Sequence, residues 1–220
     1  MKPAMLFGLI LCPTSVFGQI ESLEQFGEFS QTYYTEPRPE LIPAALIFLD
    51  SSPLVSNPQR SPMVTMSLSC ILHRPELKSR SWDAELAKLH EPALGLVQDA
   101  ISTRPEALLS LIPVSPTRND MNWACFFGSG EEKYLDNLVE VLAYLEERED
   151  LNRFMTGVSA QWSLSSNALD HPRVKAKLEQ LRATKGPLQE IAAETLAKSP
   201  EEIKAQASAV EKDQHQRGVW

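Results

Sequence analysis

The run Trp162-Ser163-Leu164-Ser165-Ser166-Asn167 is the most chemically suggestive stretch of the chain. Small hydroxyl residues beside a tryptophan can line a ligand groove, and the Asn167 amide both donates and accepts hydrogen bonds. The same composition also serves packing, because serines let two helices approach closely while Trp162 fills the core. Tyr33 and Tyr34, with Trp82 and Trp123, would form an aromatic patch on a concave face, although aromatics at helical spacing also build cores. The candidate binding residues are therefore Tyr34, Trp123, Trp162, Ser163, Ser166 and Asn167.

No catalytic residue is assigned. The chain has no Gly-x-Ser-x-Gly elbow, no glycine-rich phosphate loop and no His-Glu-x-x-His helix. His73, His90, His171 and His215 are scattered, and the thiols are too few for a zinc site, so no metal or cofactor is expected. Gly128-Ser129-Gly130 reads as a turn between helices, with glycine as the C-cap and serine at the next start. The acidic cluster Glu146-Glu147-Arg148-Glu149-Asp150 reads as a solvated connector whose Asp150 caps the following helix. It lacks the spaced oxygen ligands of a calcium loop.

Cys70 and Cys125 each lie in an apolar run, Met66-Ser67-Leu68-Ser69-Cys70-Ile71-Leu72 and Trp123-Ala124-Cys125-Phe126-Phe127. They can form one disulfide in an oxidising compartment or stay as two small buried hydrophobes. The third cysteine, Cys12, belongs to what reads as a leader. Met1-Lys2-Pro3 is a short basic start, residues 4–12 are an apolar run too short to span a bilayer, and Val16-Phe17-Gly18 suits a signal peptidase. Residues 1–18 are thus expected to be a signal peptide, which makes the chain exported, to the periplasm or beyond it to the medium. No other stretch approaches eighteen uninterrupted apolar residues, so no transmembrane segment is expected.

The formal net charge is −8. An acidic protein repels phosphate backbones, and no stretch concentrates lysine and arginine with aromatics, so nucleic acid is not an expected partner.

These residues need elements to hold them, and nearly every segment repeats apolar residues at helical spacing. Tyr134, Leu138, Leu142 and Leu145 make the clearest stripe, and no run alternates with period two. Helix starts share a form: Arg38-Pro39-Glu40, Arg74-Pro75-Glu76, Arg104-Pro105-Glu106 and Ser199-Pro200-Glu201, with His171-Pro172-Arg173 as a cousin. Proline suits the first helical position because those N–H groups have no intrahelical partner. Pro39, Pro75 and Pro105 stand 30 to 36 residues apart, the length of a helical hairpin. The expected fold is all-α, with antiparallel hairpins stacked as a small right-handed superhelix over residues 19–185. The helices and tail of 186–220 would dock loosely. Residues 51–62 and 113–119 are expected to be loops.

Several segments carry a resemblance. They are Tyr33-Tyr34-x-x-Pro37-x-Pro39-Glu40-Leu41-Ile42-Pro43-Ala44-Ala45-Leu46, Ser61-Pro62-Met63, Trp123-Ala124-x-Phe126-Phe127-x-Ser129-Gly130, Tyr134-Leu135-x-x-Leu138 and Ala160-x-Trp162-Ser163-Leu164-x-Ser166-Asn167-Ala168. Over roughly residues 25–182 the chain resembles an uncharacterised group of exported bacterial helical proteins with tetratricopeptide-like architecture. The resemblance implies a superhelix of α-hairpins and hands over no catalytic residue. The leading expectation is a module of the bacterial envelope that binds or scaffolds a protein or peptide. The first rival is an enzyme acting on a cell-envelope or small-molecule substrate through Glu131, Asp136 or Asp170. The second is an effector or immunity-type protein with one dedicated partner.

Overall fold

A computed structural model of the chain describes residues 18–220. The signal peptide expected at residues 1–18 lies, but for its last residue, outside the described residues. Those residues form thirteen α-helices and three 3₁₀ turns, with no strand among them. The order is α1 (Leu23–Thr32), α2 (Ile42–Asp50), α3 (Pro53–Ser56), α4 (Ser61–Leu72), α5 (Asp83–Leu86), α6 (Ala93–Ser102), α7 (Pro105–Ser110), α8 (Pro116–Ser129), α9 (Glu132–Glu140), α10 (Leu151–Asp170), α11 (Pro172–Ala183), α12 (Gln189–Ala197) and α13 (Pro200–Gln216). The 3₁₀ turns are Pro39–Leu41, Pro75–Leu77 and Val141–Glu146.

Local sequence sets the boundaries. Every Pro-led start named above begins a helix or turn, although Pro39 and Pro75 begin 3₁₀ turns of three residues rather than full helices. Asp150 caps α10 by accepting from the Arg153 N–H at 3.1 Å. Ser199 and Glu202 form a reciprocal capping box on α13. Gly130 ends α8 at φ 73°, a left-handed conformation that disfavours any side chain, and its N–H bonds the Phe126 carbonyl at 2.7 Å. The segment expected to be a loop at 51–62 instead contains α3 and the start of α4. Ser52 caps α3 by accepting from the Leu54 N–H, and Pro53 takes the first helical position. Likewise α8 begins at Pro116, inside the expected loop 113–119, with Ser115 as its cap.

Helix α4 is the shared wall of two cores. Val64, Leu68 and Ile71 join Phe29, Ile42, Leu46 and Val97 on one side. Met66 and Cys70 join Phe126, Leu138, Leu164 and Leu178 on the other. Full burial of such side chains contributes ~1.5–3 kcal/mol each, so a helix apolar on two faces belongs at the centre. α4 packs on α6 and α8, and α8 in turn on α1, α9 and α10. The sequence-adjacent pairs α8–α9, α10–α11 and α11–α12 lie together. α13 returns to α10, burying Ile203 and Ala207, and Trp220 packs on Phe154 with centroids 5.5 Å apart.

Of the two fates left open for the cysteines, the structure shows the bridge. Cys70 in α4 is disulfide-bonded to Cys125 in α8, with their Cα atoms 5.1 Å apart. Gly128 permits that approach: a Cβ there would stand 3.2 Å from the Cys70 Cβ and from the Ser67 carbonyl oxygen.

Candidate functional site

Three of the expected binding residues meet in a closed packing network. The Trp123 indole N–H donates to the Ser163 hydroxyl at 2.9 Å, and that hydroxyl donates to the Ser159 carbonyl at 2.8 Å. The Asn167 amide donates back to the Ser163 carbonyl at 2.8 Å. Their hydrogen-bonding capacity is largely met within the fold, so this run joins α8 to α10. Trp162 does not join them and is 45 % exposed; Ser166 is half-buried.

Tyr34 stands apart, between α1 and the start of α11. Its backbone N–H donates to the Phe127 carbonyl, and its hydroxyl hydrogen-bonds His171 Nδ1 at 2.8 Å. Phe127 lies against the His171 ring at 4.8 Å. Burial holds the His171 pKa below the ordinary histidine value, and Asp170 only partly opposes it. The folded pKa is therefore below the unfolded one. The group's contribution to stability is present above pH ~6.5 and is lost as pH falls through the folded value. Urea midpoints measured from pH 7 to pH 5 should fall less in His171→Gln than in the parent. Equal slopes would show that this histidine takes up its proton as readily folded as unfolded.

A larger feature lies where α4 ends. A cleft of about 700 Å³ opens among the Pro75–Leu77 turn, the start of α7 and the α8–α9 turn. Leu72, Leu77, Trp82 and Ile101 provide apolar lining, and Arg74, Lys78, Arg80, Arg104 and Lys133 add five cations against the carboxylates of Glu106 and Glu131. Two of the Arg-Pro-Glu starts thus meet in one place. The fold adds Arg104 and Lys133 to the three cations that residues 74–80 already supply beside Trp82.

Three of the cations have partners. Arg74 donates to the Gly128 and Ser129 carbonyls at 3.3 Å, at the negative end of α8, and pairs with Glu76 at 2.5 Å. Arg80 pairs with Glu85 at 2.8 Å and lies 4.2 Å from the Trp82 ring centre. Lys133 is held by Glu106 at 2.6 Å and Glu131 at 2.5 Å. Burial works to lower the Lys133 pKa, but these two carboxylates outweigh it and hold the value above the ordinary lysine range. The hydrogen bond from Lys133 in turn holds the Glu106 carboxyl below its usual value. Lys78 and Arg104 are exposed and make no ion pair among the described residues.

Tyr33 lies beneath this wall. Its ring is fully buried under the Arg74 guanidinium, 5.3 Å from the centroid, and its hydroxyl has no partner. Burial pushes its pKa up to about 12, with Arg74 opposing and Glu76 and Glu40 adding. His73 is tied through Nδ1 to the Ser69 carbonyl at 2.9 Å, which leaves Nε2 as the free ring nitrogen. Of the carboxylates considered for an enzyme, only Glu131 lines the cleft; Asp136 pairs with Lys177 and Asp170 ends α10. Among the described residues no three metal-ligating side chains converge.

Comparison with protein-family models, with curated proteins and with solved structures returns no match for this chain.

Proposed function

We propose that the protein is an exported binding module of the bacterial envelope, built of stacked helical hairpins, that holds an acidic segment of a protein or peptide in the cationic cleft. One observation carries the reading: two unpaired cations, Lys78 and Arg104, border a partly apolar cleft in a chain of net charge −8. Glu76, Glu85, Glu106 and Glu131 already pair with three of the five cations, so the positive charge open to a ligand is that of Lys78 and Arg104. The lining's own carboxylates show the complementary chemistry, since Glu106 and Glu131 already seat on Lys133. A short acidic segment suits the site better than a nucleic acid, whose charge density meets the negative field of the rest of the molecule. The apolar lining gives aliphatic side chains between the acids a place to bury.

Export is supported by the leader-like start and by the Cys70–Cys125 bridge, which persists in oxidising compartments. The hairpin superhelix is supported by the side-by-side packing of α8–α9, α10–α11 and α11–α12 and by the tetratricopeptide-like resemblance.

Fluorescence anisotropy with a labelled peptide of alternating glutamate and leucine tests the site. Binding should weaken as salt rises, and Lys78→Glu with Arg104→Glu should weaken it at least ~10-fold. Both side chains are exposed, so circular dichroism should be unchanged. A double variant that binds as tightly as the parent, or a parent that ignores the peptide, would end this proposal.

A further inference from the structure

Of the nine large apolar side chains left exposed among the described residues, four lie on α10: Leu151, Met155, Trp162 and Leu169. Trp162 is 45 % exposed and Leu169 78 %, and the other two are each more than a third open. Met155 stands seven residues before Trp162 and Leu169 seven after it, and Leu151 precedes Met155 by four. At ~3.6 residues per turn those spacings set all four in one narrow stripe. The half-buried Ser159 and Ser166 lie beside the stripe, one on each side of Trp162 along the helix. Arg153 is the one charged residue from Leu151 to Leu169, and it turns away to pair with Glu147 and lie over the Tyr144 ring. The longest helix of the fold thus presents an uncharged apolar seam to solvent.

We propose that this seam pairs two copies of the chain, with α10 antiparallel to its symmetry mate and the two-fold axis at Trp162. The spacing is self-complementary about that residue. Met155 of one copy comes level with Leu169 of the other, because both stand seven residues from the axis. Leu169 then enters the gap bounded by Leu151, Met155 and Val158 of the second copy, whose spacing of four and three is that of a hole for a coiled-coil knob. The two Trp162 rings meet at the axis, over the small side chains of Ser159 and Ser166 on the opposite helix. Asp170, just beyond the seam, comes level with the exposed Asn152 of the second copy, whose amide can donate to it. The contact is isologous and closes at two copies.

Burial of the four apolar side chains drives the pairing, and the charges at the two ends of the seam set its direction. Glu146, Glu147, Glu149 and Asp150 precede α10 with Arg148 among them, whereas Arg173, Lys175 and Lys177 follow it on α11. Arg173 and Lys177 are engaged with Glu132 and Asp136, and Lys175 is exposed. An antiparallel pair sets the acidic start of each seam beside the basic end of the other, and a parallel pair sets acid beside acid. Such exposed charges contribute orientation more than affinity. A lipid surface fits less well, because the residues that bracket the seam, Asp150 and Asp170, are both acidic in a chain of net charge −8. Pairing two helix faces ~30 Å long and ~10 Å wide removes on the order of 1,000 Å² from water, the lower end for specific complexes, so the dimer is a weak one in the micromolar range.

Sedimentation equilibrium of the chain from ~1 to ~500 µM tests the proposal, and the parent should pass from monomer towards dimer across that range. Leu169→Glu and Trp162→Ser should each weaken the dimer at least ~10-fold with unchanged circular dichroism, because both side chains stand open on the single copy. Cross-linking under mild oxidation, in a Cys12→Ser background, reads the register. Met155→Cys chains should link to Leu169→Cys chains and not to themselves, whereas Trp162→Cys chains should link to one another. Self-linking of Met155→Cys would mean a parallel seam and overturn the proposal. A parent that stays monomeric at ~500 µM, a dimer that tolerates Leu169→Glu, or a monomer that instead binds phosphatidylcholine vesicles through Trp162 would overturn it as well. The cleft variants Lys78→Glu and Arg104→Glu should leave the dimer unchanged, so either site can fail without the other.

Discussion

Reducing the Cys70–Cys125 bridge should lower the stability of the folded chain by ~2–4 kcal/mol. The two cysteines are 55 residues apart, and closing such a loop removes unfolded-state entropy equivalent to ~4 kcal/mol, an upper figure for measured bridges. Domains of this kind have only ~5–15 kcal/mol in total, so the loss is a large share. The bridge also joins α4 and α8, which between them touch both cores and most other helices. With a urea slope of ~2 kcal/mol/M, the midpoint should fall by ~1–2 M in the presence of reductant. The double variant Cys70→Ala, Cys125→Ala should start from the lower midpoint and ignore reductant. The effect should reach the cationic cleft as well, because Cys70 lines it and Arg74 depends on carbonyls at the end of α8. Two free thiols appearing by titration with no movement of the midpoint would show that packing alone holds α4 to α8.

What the sequence disclosed and what it withheld follow from the range of the interactions involved. Helix type and many of the starts were legible because proline, serine and aspartate act on their nearest neighbours. Asp150, Ser199 and Gly130 do locally what their types imply. The short helix α3 was not legible, since Pro53 and Ser52 define its start but four residues carry too little periodicity to show a stripe. Side-chain fate was harder still. Trp123 and Ser163 are 40 residues apart, and whether they meet a ligand or each other depends on how α8 crosses α10.

The cationic cleft was hidden for the same reason. Its cations come from three separate stretches, residues 74–80, Arg104 and Lys133, and nothing about each alone departs from an ordinary solvated side chain. One trace was nevertheless in the sequence: the arginine that precedes proline at the start of two 3₁₀ turns and of α7. Proline and glutamate explain themselves through the helix terminus, whereas the arginine does not. In the fold, Arg74 reaches over Tyr33 to the end of α8, and Arg104 is left unpaired beside the same cleft. A repeated residue with no local reason is thus better referred to tertiary structure than to the element it begins.

The same reasoning gives opposite signs to one substitution at two helical glycines. In α10, a Cβ on Gly157 would stand 2.8 Å from the Leu145 backbone nitrogen and 3.1 Å from the Tyr144 carbonyl carbon. Those atoms belong to the Val141–Glu146 turn, and backbone cannot swing aside as a flexible side chain does. Gly157→Ala should therefore force α10 away from the turn, a cost of ~1–3 kcal/mol for overpacking. Alanine recovers ~1 kcal/mol of helix propensity, which reduces the loss without reversing it at the upper end of that range. In α1, Gly27→Ala meets no atom within 4 Å and keeps the propensity gain, so it should stabilise by ~0.4–1 kcal/mol. Thermal unfolding of the two variants should move in opposite directions from the parent. A raised midpoint for Gly157→Ala would mean that α10 does not press on the turn, and that its closest approach there is not what requires a glycine.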